Sequence, residues 1–242
     1  MSTEKPVRPG GALTTRPLHF IWLVDCSGSM AGAKIQSLNA AIREAIPAMR
    51  DTADDNPNAQ VLVRAISFSD NAQWHVATPT PIEQFQWQDM SADGVTDLGA
   101  SFTELAKELT VAKIGDRALP PVIVLLTDGQ PTDDWRKGLK ELMSQPWGKK
   151  AARIGIAIGD DAEFSVIQEF IGNPEFKPLL AQNSATLVKY IKWASTAVLK
   201  AASSPASRTK DEAAASGANV TMPQAPAPVP SDAGPGSAGD VW

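Results

Sequence analysis

The chain has 242 residues, enough for one well-buried core; its net charge is −5 and no run of Lys or Arg stands out, which excludes the electrostatic footprint of a binder of nucleic acid or an anionic membrane. The single cysteine, Cys26, rules out an intramolecular disulfide or a Cys-based zinc site, and no segment approaches the roughly 18 consecutive apolar residues that a spanning helix needs. Met1 to Pro17 has no apolar stretch of the signal-peptide kind, so a soluble, cytoplasmic protein is expected.

Residues 1–17 read as an N-terminal extension and 18–203 as one domain. Leu18 to Val24 is the first strand, an apolar run without alternation. Ile35, Leu38, Ile42, Ile46 and Met49 then lie on one face of a helix that Pro47 is expected to kink or shorten. Val61 to Phe68 is a second strand; after a turn at Ser69, Asp70 and Asn71, Gln73 to Ala77 suits an antiparallel edge strand. Leu98, Phe102, Leu105 and Leu109 make the next helical stripe, followed by a strand over Val122 to Leu126.

A further helix is expected to begin near Thr132, capped by its hydroxyl, with Asp133 and Asp134 in the first turn and Trp135, Leu139 and Leu142 facing the core. Ile154 to Ile158 is a strand. Phe164, Ile167 and Ile171 mark one more helix, and Leu187, Ile191, Ala194 and Val198 another, capped by Ser184. Continuous apolar strands alternating with helices predict a doubly wound α/β fold: a mostly parallel sheet with one antiparallel edge strand and helices on both faces. From 204 to 242 the Ala, Pro, Ser and Gly content rises and apolar periodicity stops, which predicts a disordered tail. Its end, Asp240-Val241-Trp242, is either a short docking motif or an unstructured terminus.

The first strand runs into Asp25-Cys26-Ser27-Gly28-Ser29, and a helix follows almost at once. In an open α/β sheet this loop lies at the carboxyl edge, where ligands bind. Asp25, Ser27 and Ser29 alternate, so their oxygens can point the same way while Gly28 permits the tight turn. Alone, the pattern fits an ordinary Ser/Gly turn before a helix equally well. Two more loops reach the same edge, and they add Thr96 and Asp128 as fourth and fifth donors. Hydroxyls, waters and one or two carboxylates suit a hard cation such as Mg²⁺, with Mn²⁺ or Ca²⁺ as alternatives. Two aspartates roughly neutralise it and leave a coordination position open.

In order and approximate spacing, these five residues resemble the metal-ion-dependent adhesion site of von Willebrand factor type A (VWA) domains. The wording Gly94-Val95-Thr96-Asp97-Leu98-Gly99 and Leu126-Thr127-Asp128-Gly129-Gln130-Pro131 resembles the bacterial tellurite-resistance TerY-like branch, and the likeness covers Leu18 to Ala201. The resemblance implies a VWA/Rossmann-like fold. It implies hydroxyl ligands at Ser27, Ser29 and Thr96, Asp25 and Asp128 acting directly or through water, and a partner protein's Asp or Glu carboxylate completing the shell. It further implies an intracellular scaffold or regulator in tellurite-resistance, stress or phage defence, with a protein kinase and a PP2C-like phosphatase as candidate partners. Some chains of that branch carry a Cys-rich zinc module after the domain; here a Pro/Ala-rich tail stands instead.

Neighbouring residues have plainer readings. Asp97 reads as a helix-start carboxylate, Asp70 and Asp133 as turn and cap residues, and Cys26 as a buried thiol. Trp22 and Trp193 read as core, and Trp74 and Trp87 as surface residues near the edge hairpin. Trp135 either rims the metal face as a partner contact or packs its helix. The leading function is a metal-dependent protein-binding module rather than an enzyme. A Mg²⁺-dependent phosphotransfer enzyme is the alternative, but position 27 is Ser where such enzymes resemble Asp-x-Asp, no Lys closely follows Asp128, and the Gly-Lys-Ser/Thr phosphate loop is absent. A metal-free structural subunit is the third reading.

Overall fold

The computed structural model describes residues 15–56, 58–203 and 220–230. Among them, the apolar runs form β1 (Arg16–Asp25), β2 (Ala59–Phe68), β3 (Ala72–Pro81), β4 (Val122–Thr127), β5 (Ala152–Ile158) and β6 (Leu179–Ala181). They make one sheet in the order β3-β2-β1-β4-β5-β6, parallel except for the β2–β3 pair. The expected mixed sheet is the one observed. Prolines 79 and 81 fall on β3, an edge strand, where a missing N–H donor is tolerated.

Pleating sends Phe20, Trp22 and Val24 of β1 into one core and Ile21 and Leu23 into another. The first core is covered by α1 (Ala33–Asp54) and α7 (Ser184–Trp193), the second by α2 (Leu98–Ala106), α4 (Trp135–Ser144) and α6 (Phe164–Ile171). Short helices α3 (Val111–Ile114) and α5 (Pro146–Lys150) link α2 to β4 and α4 to β5; a π-turn over Ala194–Val198 joins α7 to α8 (Leu199–Ser203). The chain moves from β1 to β2 on one side and later to β4 on the other. The carboxyl ends of β1 and β4 therefore flank the topological switch point, where this architecture opens a crevice.

Several local expectations are corrected. Helix α1 runs two turns beyond Pro47, because the proline is exposed and the buried Ile46, Met49 and Ala53 hold the far half on the sheet. The cap of α4 is Asp134, whose carboxylate accepts from Lys137 N, while Thr132 is drawn away to another loop. Asn183, not Ser184, caps α7 by accepting from Thr186 N at 2.8 Å; the Ser184 hydroxyl meets that of Ser37 at 2.9 Å. Phe164 lies exposed at the start of α6, whose buried face is Val166, Ile167, Phe170 and Ile171. Trp87 is buried rather than superficial, and its Nε1 donates to Asn39 Oδ1 at 2.9 Å.

The disorder expected of the tail does not extend to 220–230. Val220 is buried, Met222 and Ala225 pack against the first core, and Val229 N and O both bond the Thr186 hydroxyl, at 3.1 and 3.2 Å. Closely spaced prolines restrict the chain before it docks, so less entropy is lost than composition alone suggests. The remaining tail positions, with Asp240-Val241-Trp242, and the extension up to residue 14 lie outside the described residues.

Buried ionisable His19 gives the fold a pH dependence. It is 4% exposed on β1, and burial first, then the charge of Arg64, against an opposing pull from Glu108, brings its pKa down from 6.5 to about 4. Its Nδ1 has no hydrogen-bond partner among the described residues. Between those values the unfolded chain binds a proton that the native one refuses. Stability is thus complete above pH 6.5 and falls as pH drops toward 4, by about 3 kcal/mol at 1.36 kcal/mol per unit. Urea titrations across that range are expected to show a shallower pH slope for His19→Gln; an identical slope would refute this origin.

Candidate metal centre

Strand β1 ends on Asp25 and passes into a 3-10 turn, Gly28–Met30, before α1. Backbone bonds hold this turn against the loop before α2: Asp93 N donates to Cys26 O at 2.8 Å and Gly28 N to Gly94 O at 2.9 Å. Gly28 fits because even a Cβ there would press to 3.3 Å from Gly94 O. That loop is tied in turn to the one after β4, with Thr132 N donating to Thr96 O at 2.9 Å and Thr96 N to Thr132 Oγ1 at 3.2 Å. Three loops are thereby fixed to one another at the crevice.

Their side-chain oxygens converge. Ser27 Oγ and Ser29 Oγ stand 3.0 Å apart, and Ser29 Oγ donates to Asp128 Oδ1 at 2.7 Å. Asp25 Oδ1 accepts from Ser27 N at 2.9 Å, and Oδ2 from Thr127 Oγ1 at 2.5 Å. A Cβ placed on Gly129 would meet Thr96 Oγ1 at 3.1 Å, Asp25 Oδ2 at 3.6 Å and Ser29 Oγ at 3.7 Å. The point beside Gly129, on the loop after β4, therefore sees oxygens from both of the other loops, and the glycine keeps it clear. All five residues singled out in the sequence are gathered here.

Asp25 and Asp128 are completely buried, and Ser27 and Thr96 nearly so, while Ser29 is exposed and opens the group to solvent. Burial pushes the Asp25 carboxyl above its ordinary pKa, hydrogen bonds from Ser27 and Thr127 pull it back, and the charge of Asp128 adds to the rise. Lys34, which the sequence reading passed over, places Nζ 2.5 Å from Asp128 Oδ2. Two buried carboxylates with one ammonium leave a deficit of positive charge. Among the described residues no three His, Cys, Asp or Glu side chains gather as a ligand set. The donors here are instead mainly hydroxyls with two carboxylates, a set that fits a hard divalent cation.

The surroundings divide into support and rim. Asp97 Oδ1 accepts from Thr132 Oγ1 at 3.0 Å, and Asp70 Oδ1 from Val95 N at 2.9 Å. Asp133 accepts from Gly99 N and Ala100 N at 2.9 and 2.8 Å, so it caps α2 from another loop. Cys26 is buried against Met90, and its thiol is pushed up to about 12, chiefly by burial and then by Asp25. Trp135 is 8% exposed and belongs to the second core, which leaves its ring engaged in packing rather than on the rim. The exposed apolar side chain beside the donors is Val95, at 47%.

Comparison with known proteins agrees with the architecture. Several solved structures share the fold. A von Willebrand factor type A protein from Catenulispora acidiphila aligns with TM-score 0.57 and 15% identity, over 77% of this chain and 43% of that one. The ArnB paralog VWA2 from Sulfolobus acidocaldarius aligns with TM-score 0.52 and 18% identity, over 72% and 44%. Proximal thread matrix protein 1 from the mussel byssus, with a zinc-occupied MIDAS motif (the metal-ion-dependent adhesion site), aligns with TM-score 0.56 and 14% identity, over 74% and 47%. The chain thus spans less than half the length of each of these proteins. No curated protein matches it in sequence. The sequence profile of the von Willebrand factor type A domain matches residues 20–192, which hold nearly the whole sheet and Asp25, Ser27, Ser29, Thr96 and Asp128, and the chain belongs to that family.

Proposed function

We propose that this protein is a metal-ion-dependent protein-binding module, with Asp25, Ser27, Ser29, Thr96 and Asp128 holding Mg²⁺ and a partner's Asp or Glu carboxylate completing the shell. The observation that carries this reading is the convergence of hydroxyls and two buried carboxylates on one solvent-open point. A bound dication supplies a Lewis-acidic position for an anionic oxygen. The chain's own groups do the rest: Ser29 leaves the point accessible, the loop-to-loop bonds fix the donors, and Asp25, with one bond already on each oxygen, keeps lone pairs for the metal or its waters. Position 27 is Ser where phosphotransfer enzymes resemble Asp-x-Asp, and both carboxylates are already engaged as hydrogen-bond acceptors, so binding is favoured over phosphotransfer.

The loop wording around Thr96 and Asp128 supports a narrower placing in the TerY-like branch, as a cytoplasmic scaffold beside a protein kinase and a PP2C-like phosphatase. Among the described residues no helix is long and apolar enough to cross a membrane. Calorimetry of the purified chain with Mg²⁺, Mn²⁺ and Ca²⁺, followed by partner capture with Mg²⁺ or chelator, tests the reading. One-to-one cation binding and chelator-sensitive capture are expected. No binding of any of the three ions would favour the metal-free structural subunit.

A further inference from the structure

Lys34 occupies an unfavourable place for a cation. It is the second residue of α1, where the helix dipole presents its positive end; Gly32 at the N-cap offers no side-chain acceptor, and the first turn holds no acidic residue. Its side chain is nevertheless only 13% exposed, and its ammonium reaches back across the crevice to Asp128 Oδ2 at 2.5 Å. Asp128 is thus held on two sides, by Ser29 on Oδ1 and by Lys34 on Oδ2. The serine belongs to the donor set; the lysine carries the charge that a metal ion would otherwise bring.

Resting on the metal-binding reading above, we propose that Lys34 is an internal counter-ion that competes with the divalent cation for Asp128 and sets its affinity low. Without a cation, the ammonium neutralises one of the two buried carboxylates. With one bound, ammonium and dication stand at the same carboxylate and repel each other, so occupancy weakens the Lys34–Asp128 pair. An arriving carboxylate lowers that repulsion. Cation and acidic partner consequently bind with positive coupling, each raising the affinity for the other by the same factor.

Removing the ammonium tests this directly by the binding of Mg²⁺ itself. In calorimetry, Lys34→Met is expected to bind Mg²⁺ about tenfold more tightly than wild type, or about 1.4 kcal/mol, whereas Lys34→Arg, which keeps the charge, stays close to wild type. Melting in chelator provides the second readout: Lys34→Met unfolds at a lower temperature, since Asp128 is left buried without its partner, and gains more from added Mg²⁺. Lys34→Gln, whose amide can still donate to Asp128, serves should the Met variant fold poorly, with the same tightening expected. Equal or weaker Mg²⁺ binding in the uncharged variants overturns the proposal while leaving the metal site intact. Absence of cation binding in wild type and variants alike overturns the metal reading together with it.

Discussion

Asp25→Asn is expected to weaken divalent-cation binding severely while leaving the fold as stable as wild type, or more so, in chelator. Asparagine is nearly isosteric, and its Oδ1 can accept from Ser27 N as the carboxylate does at 2.9 Å. Its amide can donate to Thr127 Oγ1, with the hydroxyl turning to accept, in place of the present bond in which Thr127 donates. The network survives, and a fully buried charge whose ionised form burial disfavours is gone. Half of the carboxylate charge at the site has gone as well. With only Asp128 left, and that shared with Lys34, Mg²⁺ affinity is expected to fall by about a hundredfold or more, a loss of about 2.7 kcal/mol. Calorimetry and melting with and without Mg²⁺ measure both halves. A variant whose melting temperature rises with Mg²⁺ as much as that of wild type would remove Asp25 from the donor set.

The parts of the molecule that were legible in the sequence are those where one physical demand dominates. β1 and β4 are buried on both faces, so Phe20 to Val24 and Val122 to Leu126 must be apolar without interruption, and such runs are readable in any sequence. The convergence of these side chains was legible because the sheet's carboxyl edge collects the ends of nonadjacent strands, which puts Asp25 and Asp128 at one crevice by topology alone. Where two demands compete locally, spacing alone does not decide. Thr132, Asp133 and Asp134 are all acceptable caps, and only the packing of three loops assigns them to Asp97, to α2 and to α4 respectively. Lys34 escaped for a similar reason: a lysine near a helix start reads as solvated, and its reach to Asp128 depends on how α1 leaves the Gly28–Met30 turn. β6 has only three residues, too few for a periodicity. The 220–230 segment has no helical or alternating pattern because it docks without regular secondary structure, through Val220, Met222 and Val229.

Gly138→Ala is expected to destabilise the protein and weaken cation binding, although the substituted residue touches no donor. Helices α2 and α4 pack in direct backbone contact at Gly99 and Gly138. A Cβ on Gly138 would overlap Gly99 O and lie 2.9 Å from both Gly99 C and Gly99 Cα, while one on Gly99 would lie 2.8 Å from Trp135 Cα. These obstacles are backbone atoms, so no rotamer change relieves them and α4 must move away from α2. Alanine's helix propensity, about 1 kcal/mol better than glycine's, opposes an overpacking cost of about 1–3 kcal/mol or more. With backbone on both sides of the contact the cost prevails, and a net loss of about 2 kcal/mol lowers the melting temperature by roughly 4–8 °C. The same displacement reaches the loops of the candidate metal centre, because α2 begins directly after Thr96-Asp97 and α4 after Asp133-Asp134. The bonds from Gly99 N and Ala100 N to Asp133, from Thr96 N to Thr132 Oγ1 and from Thr132 Oγ1 to Asp97 hold those loops in register. Mg²⁺ affinity is therefore expected to fall with stability, whereas Lys140→Ala, on the exposed side of the same helix, should change stability by no more than about 0.5 kcal/mol. A Gly138→Ala protein with wild-type melting and wild-type Mg²⁺ affinity would mean that the α2–α4 contact does not set the spacing of the donors.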